Sequence, residues 1–475
     1  MYSVRISKVE INNIKNVENG KLSLINDKKN YKASVLGLYG QNGSGKTALI
    51  DSIEILKNVL CGKNIPDYFA DYINSKYSSA TLIFEFLLNN NDLDVPVTLE
   101  FSIRSVDNDN NQNIESNNND SNKKVEVFNE ILKCPLLSLK RSKIGKIIDT
   151  SDVRKISPGG KKDLFFGKSK DIDTELVVIE KLTKNQSRSF LFSNEILSLL
   201  RNRKQSIELI SDEKEEFDYY FDIIESLVIF GNFSLFVVNT KTSGLISLNA
   251  QPISFKYERN NSRALGTIMI HLEKPFLIPE YEEVIVEDVI KNMNVVLKQV
   301  VPGLAIGIKK LDTQTLPDGK VGYTIQLTSI RNNNEIALKY ESDGIKKIVS
   351  ILQLLIVMYN QDSITVAIDE LDAGVFEYLL GEMLRIISEK GHGQLIFTSH
   401  NLRILETIDK GFIAFTTTNP KNRYIRMTNV KETNNLRDYY YRDIMLGDQK
   451  EQLYDYTNNS EIAFAFKKAG DVNGS

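Results

Sequence analysis

Residues 40–47 read Gly-Gln-Asn-Gly-Ser-Gly-Lys-Thr, the phosphate-loop pattern G-x-x-x-x-G-K-[ST], which works only between a strand and a helix. Both flanks are present. Ser34 to Tyr39 is a short apolar run suited to a buried strand, and Leu49, Ile50, Ile53, Leu56 and Leu60 recur at helical spacing. Such a loop wraps phosphate oxygens with the backbone N–H groups of a helix N-terminus. Gly40, Gly43 and Gly45, with Asn42 and Ser44 between them, let the backbone come close without a Cβ clash. Lys46 is expected to reach the β- and γ-phosphates, and Thr47 to ligate magnesium.

The 475 residues leave room for about three domains at roughly 150 residues each. Lysine and arginine (59) nearly balance aspartate and glutamate (62), giving a formal net charge of −3. A strongly basic nucleic-acid footprint is therefore missing from the whole-chain charge, so nucleic acid is a possible partner that composition does not indicate. Two cysteines, Cys61 and Cys134, far apart and without His or Cys neighbours, read as reduced structural thiols. With no apolar signal core at the N-terminus and no stretch long enough for a bilayer, the expectation is a cytoplasmic protein without a membrane partner.

Along the chain, strands are expected over Tyr2–Ile14 and Lys21–Ile25, followed by a polar loop Asn26–Lys32. A hairpin, Ala80–Leu88 with Pro96–Ile103, turns at Asn89 to Asp92. The tract Asp107–Asn122, almost all Asn, Asp, Ser and Gln, is too polar to bury a core and reads as a mobile loop. Strand-like runs follow at Leu176–Leu182, Phe233–Asn239 and Thr267–Leu272, with amphipathic helices over Asp212–Phe230 and Pro279–Val300. Ala305–Tyr340 is β-rich.

A second apolar run, Ile364 to Ile368, ends in Asp369 and Glu370. A buried strand that delivers two acids to its carboxyl end beside a phosphate loop places Asp369 to hold magnesium and Glu370 to polarise an attacking water as general base. Earlier, Ser342 in Glu341-Ser342-Asp343-Gly344 reads as the N-cap of an apolar helix, Ile345–Tyr359, whose positive end suits a phosphate. Between Lys46 and Asp369 lies most of the chain, far more than a compact single-lobe core requires.

That wide separation resembles the head domains of ABC-type ATPases of the RecF and chromosome-maintenance kind. Val9 to Asn16 looks like their first strand and turn, and Glu341-Ser342-Asp343-Gly344 is similar to their signature motif, with Ser342 and Gly344 in the matching places. The resemblance implies an α/β fold, a mixed sheet with flanking helices, split by an inserted lobe. It divides the chain into an N-terminal half-head (1–104), an insert (105–278), a C-terminal half-head (279–416) and a tail (417–475). It also implies that the Ser342 turn contacts the γ-phosphate of nucleotide on a partner subunit, that Asp372 touches the opposite subunit, and that His400, ending the strand Leu395–Ser399, contacts the γ-phosphate. The cofactors implied are ATP and Mg2+. No counterpart of the family's glutamine loop stands out.

No long heptad run occurs, so the coiled-coil arms of chromosome-maintenance proteins are missing. More closely, the chain looks like the stand-alone ATPases of bacterial anti-phage and abortive-infection systems. That likeness implies a homo-oligomeric ATPase, sensor of infection and controller of a separate effector, a nuclease or toxin. A RecF-like ATPase acting on DNA in repair or recombination is the alternative. The tail carries Asp438, Asp443, Asp448, Glu451 and Asp455 without an Asp-x-Asp pair, which reads as a solvated helix face or a docking surface, and Arg437–Tyr441 and Ala463–Ala469 are candidate docking or oligomer surfaces.

Overall fold

The computed structural model describes residues 2–26, 34–90, 93–107, 123–137, 143–156, 161–167, 169–205, 211–239, 251–259, 262–272, 274–428, 435–447 and 449–471. The expected polar tract after Asp107, and most of the loop after Asn26, lie outside them.

Two six-stranded sheets form the frame. The first is antiparallel throughout, in the order β2 (Val17–Ser23), β1 (Ser3–Ile14), β4 (Ser79–Asn90), β5 (Leu93–Asp107), β6 (Lys123–Pro135) and β7 (Ile144–Asp149). Its pattern is read most plainly in β4, where Ala80, Leu82, Phe84, Phe86 and Leu88 are buried and the residues between them are not. That period of two turns one face to a core, and Phe84 stacks on Phe101 of β5 at 6.3 Å. The second strand starts at Val17 rather than at Lys21, because a tight turn at Lys15 (φ 51°) pairs Ile14 directly with Val17.

The second sheet runs β18 (Tyr424–Ile425), β17 (Ile413–Thr416), β3 (Val35–Tyr39), β16 (Gln394–Thr398), β15 (Thr365–Ile368) and β8 (Leu235–Val238). All neighbours pair in parallel except β18, an antiparallel edge. Every residue of β3, β15 and β16 is buried, as expected of strands covered on both faces. Helix α1 (Lys46–Leu60) fills the space between the two sheets, and eleven of its residues are buried, far more than a single face would bury. On the other face of the parallel sheet pack α5 (Glu280–Val300), α6 (Asp343–Asn360) and α7 (Glu377–Lys390), in a second core with Val366, Ile368, Leu395 and Phe397.

Between β7 and β8 run α2 (Lys170–Asn185), α3 (Asn194–Gln205) and α4 (Ser211–Ile229). The strand expected at Leu176–Leu182 is part of α2. Ser169 caps that helix by accepting the Asp171 amide at 3.2 Å, and Ile172, Leu176 and Ile179 are buried at helical spacing while Val178 faces outward. The β-branched pair Val177-Val178 suggested a strand that the wider pattern overrides. After β8 comes a two-stranded antiparallel sheet of β9 (Gln251–Arg259) and β10 (Ser262–Ile270), and the β-rich stretch is β12 (Ala305–Thr315), β13 (Val321–Arg331) and β14 (Asn334–Ala337), joined by β11 (Phe276–Pro279). In the tail are α8 (Leu436–Leu446) and α9 (Asn459–Asp471). Among the described residues no helix is long and apolar enough to cross a membrane.

Candidate nucleotide site

The carboxyl end of β3 feeds straight into α1 through residues 40–45. Gly40 sits so close to β17 that a Cβ there would lie 1.7 Å from Thr416 Oγ1, and Gly45 turns into the helix at φ 91°. Gly45 is the N-cap of α1 and offers no side-chain cap, which leaves the first amides of the helix for a ligand. Ser44 closes the loop by donating to the Gln41 carbonyl at 2.7 Å, and Thr416 donates to Ser44 Oγ at 2.5 Å. Lys46 Nζ folds back onto the carbonyls of Gly40 and Gln41, 2.9 Å from each. Burial pushes its ammonium down to about 8, against the pull of Asp369, Glu370 and Asp372.

Residues distant in sequence hold this loop from outside. The Asn16 side-chain amide Nδ2 donates to the Gly43 carbonyl, Tyr424 Oη donates to the Gly45 carbonyl at 2.9 Å, and Arg423 donates to the carbonyls of Asn16 (2.7 Å) and Thr417 (2.5 Å). Gln41 exchanges two hydrogen bonds with Asp455, which places that exposed acid at the rim of the loop. Asp443, expected on a solvated helix face or a docking surface, is buried. Nothing in the local sequence around Arg423, Tyr424 or Asp455 signals these contacts.

The strand that leads to His400, β16, lies between the phosphate-loop strand β3 and the acid strand β15. In-register parallel pairing brings the three carboxyl ends to one edge. Asp369 is fully buried there. Thr398 bridges the two acids: its hydroxyl donates to Asp369 Oδ1 at 2.5 Å and accepts the Glu370 amide at 2.8 Å. Glu370 itself adopts φ 48°, a left-handed conformation rare for a residue with a Cβ, held by that bond and by Leu371 N donating to the Thr398 carbonyl at 3.0 Å. Thr398 had no assigned role. Its signal was a pair of hydroxyls, Thr398 and Ser399, ending an otherwise apolar buried strand, where each needs a partner.

The His400 amide donates to Asp372 Oδ2 at 3.1 Å, while Asp372 Oδ1 is buried without a hydrogen-bond partner among the described residues. Partial burial and the nearby Lys46 ammonium hold the His400 imidazole below its ordinary value, opposed by Asp372, Glu370 and Asp369, so the ring is neutral at pH 7. The same chain's Ser342 turn abuts this acid loop. Ser342 caps α6 by accepting the Ile345 amide at 3.4 Å and is itself exposed. A Cβ on Gly344 would come within 2.2 Å of the Gly374 carbonyl oxygen, and Gly374 takes φ 76°. The structure therefore brings Lys46, Asp369, Glu370 and His400 to one edge, and sets Ser342 and Gly344 against the loop that follows the acids.

Residues 35–406 match the family described as "AAA domain, putative AbiEii toxin, Type IV TA system". The chain belongs to this family. Its architecture is α/β, with α1 packed between an antiparallel sheet and the phosphate-loop sheet. Among solved structures it is similar to the Smc head domain with a coiled coil and joint derived from Pyrococcus yayanosii (12% identity over 90% of this chain and 97% of that one, TM-score 0.42). The Smc head domain with an extended coiled coil bound to the C-terminal domain of ScpA, derived from Pyrococcus furiosus, gives 13%, 89%, 96% and 0.40. The SMC head domain from Thermotoga maritima gives 14%, 89%, 99% and 0.37. No curated protein sequence matches the chain.

In this AAA-family domain the residues present fit a magnesium-bound triphosphate. The uncapped start of α1, the buried Lys46 and the close approach at Gly40 suit an anion, and Asp369 with Thr47 would supply the hard oxygen donors magnesium prefers.

Proposed function

We propose that the protein binds and hydrolyses ATP in composite sites shared by two copies. The observation that carries this reading is the Thr398 bridge, which fixes a buried Asp369 next to a Glu370 held in a strained conformation at the edge reached by Lys46. Thr47 and Asp369 would hold magnesium, which when bound neutralises charge on the β- and γ-phosphate oxygens. Glu370 accepts the proton of the attacking water. Lys46 and the neutral His400 hold the γ-phosphoryl oxygens, and the exposed Ser342 N-cap with Gly344 of a second copy closes over them.

The family's description, which names a putative AbiEii toxin and a Type IV TA system, supports a setting in anti-phage defence. In it, ATP-driven pairing of heads controls a separate toxic effector, a nuclease or toxin. The helices α2–α4 and the tail helix α9, where Phe464 and Phe466 are exposed, are the surfaces we assign to lobe and partner contacts.

Replacing Glu370 with Gln tests the reading. The variant should bind ATP, hydrolyse it at least about a hundredfold more slowly, and accumulate as an ATP-bound dimer in size-exclusion chromatography with light scattering. Hydrolysis at the wild-type rate would remove Glu370 as general base.

A further inference from the structure

Among the described residues, the tail helix α9 buries no side chain against its own chain. Every residue from Tyr456 to Ala469 is exposed, Phe464 at 69% and Phe466 at 78%. Residues 462–466 read Ile-Ala-Phe-Ala-Phe, five apolar side chains in succession that girdle more than one helical turn on all sides. A helix of 13 residues is marginal in water by itself, so one with an apolar girdle calls for a surface that covers it.

A strap fixes where this helix starts. From Gln449 to Asp455 the chain is bound along the β17–β18 hairpin and the residues flanking it. Gln449 Oε1 accepts the Thr428 amide at 3.2 Å, Glu451 accepts the side-chain amides of Asn419 (3.0 Å) and Asn422 (2.9 Å), and the Gln452 carbonyl accepts the Thr418 amide at 2.8 Å. Leu453 anchors the strap in the second core. It ends at Asp455, whose amide donates to Gln41 Oε1 at 2.9 Å, and α9 begins at Asn459, beside the mouth of the phosphate loop.

The other half of the proposed site carries a bare aromatic pair. Tyr340, just before the Ser342 turn, and Phe376, just after the loop that follows the acids, are each 71% exposed. Gly344 lies against the Gly374 carbonyl, so the two aromatic residues stand close in the chain to one backbone contact. Charges of both signs accompany them: Lys339 stands over the Tyr340 ring at 4.8 Å, and Asp343 and Glu377 are exposed. The girdle of α9 is likewise preceded by Glu461 and followed by Lys467 and Lys468.

We propose that α9 is an arm that crosses the shared nucleotide site and lays Phe464 and Phe466 on Tyr340 and Phe376 of a second copy. The inference rests on the composite-site reading above, in which the phosphate loop of one copy faces the Ser342 turn of the other. The arm that starts beside the first is thereby delivered to the aromatic pair beside the second, with lysines and acids available to meet. Two-fold symmetry makes the contact twice in each pair of copies.

The test uses the full-length Glu370→Gln protein as parent. Phe464→Ser with Phe466→Ser, and Tyr340→Ser with Phe376→Ser, change side chains that are exposed in the single chain, so melting temperatures without nucleotide should not move. Sedimentation velocity with Mg·ATP should show the dimer dissociation constant raised about tenfold or more by either pair of changes, and little further by both together. ATP affinity of the dilute single chain should stay within about twofold. As a second measurement, Phe464→Cys mixed with Phe376→Cys should be joined by a short bismaleimide only when Mg·ATP is present, and the parent, with Cys61 and Cys134 alone, should not.

Pairing by the Phe464→Ser, Phe466→Ser protein as tight as the parent's overturns the inference and leaves the composite site standing. Crosslinks between two Phe464→Cys copies, with none to Phe376→Cys, overturn it as well. A parent that binds Mg·ATP without pairing removes the composite-site reading, and this inference with it.

Discussion

Thr398 donates its hydroxyl to Asp369 Oδ1 at 2.5 Å from the neighbouring strand, and Thr398 Oγ1 in turn accepts the Glu370 amide. One side chain thereby sets the metal-binding acid and the strained base together. Thr398→Val keeps the shape and removes both bonds. It should lower stability by about 1–3 kcal/mol, because polar groups buried at this edge lose a partner, and kcat by about tenfold or more. Thr398→Ser should recover most of the turnover. Chemical denaturation and steady-state ATPase assays check the pair.

The contact between Gly344 and the Gly374 carbonyl leaves no room for a side chain on the signature turn. Gly344→Ala must displace that turn or the loop after the acids. ATP affinity, set by the phosphate loop, should stay within about threefold in nucleotide titration, while ATP-dependent pairing in the Glu370→Gln background should be lost in sedimentation velocity. Tight pairing by the Gly344→Ala, Glu370→Gln protein would show that the turn tolerates a shift and carries no interface.

How much of this was legible in the sequence follows the range of each interaction. The phosphate loop, the acid strand and the His400 strand are local patterns, an apolar run ending in specific residues, and each lies where its pattern predicts. The run Leu176–Leu182 deceived because two adjacent valines outweigh, over so short a window, a helical period visible only from Ile172 to Thr183. The braces at Arg423, Tyr424 and Asp455 act on residues about four hundred positions away, through contacts that no periodicity encodes. Thr398 lay in plain view, but its role depends on strand order, which places β16 between the other two strands.

Those braces give a further prediction. Arg423→Met removes the bonds to the Asn16 and Thr417 carbonyls that hold the turn against Gly43. The phosphate loop should then sample more conformations when empty, and ordering it on binding should weaken ATP affinity by about three- to tenfold with kcat little changed. Isothermal titration calorimetry reads this as a less favourable binding entropy.

Lys46 gives a pH dependence with opposite signs for folding and binding. Its ammonium, pushed down to about 8 from the ordinary 10.5, loses its proton in the empty folded chain above pH 8, while the unfolded chain keeps it up to 10.5. The unfolded state binds more protons in that window, so the empty protein's stability should rise from pH 8 to 10.5 as far as this group contributes. ATP binding must recapture the proton, so Kd should rise with pH above 8 by up to about tenfold per unit. Lys46→Met should remove both trends, read by thermal melts and calorimetric titration across the same range.

The shared site itself is tested most directly by mixing two inactive proteins, Lys46→Ala and Ser342→Arg. In a mixed pair, the intact phosphate loop of one copy meets the intact Ser342 turn of the other, and the second site has lost both parts. Random pairing makes half of the pairs mixed, each with one of two sites whole, so ATPase activity should return to about a quarter of wild type. If the mixture stays as inactive as its components, or if Ser342→Arg alone hydrolyses ATP normally, the nucleotide is not enclosed by two copies.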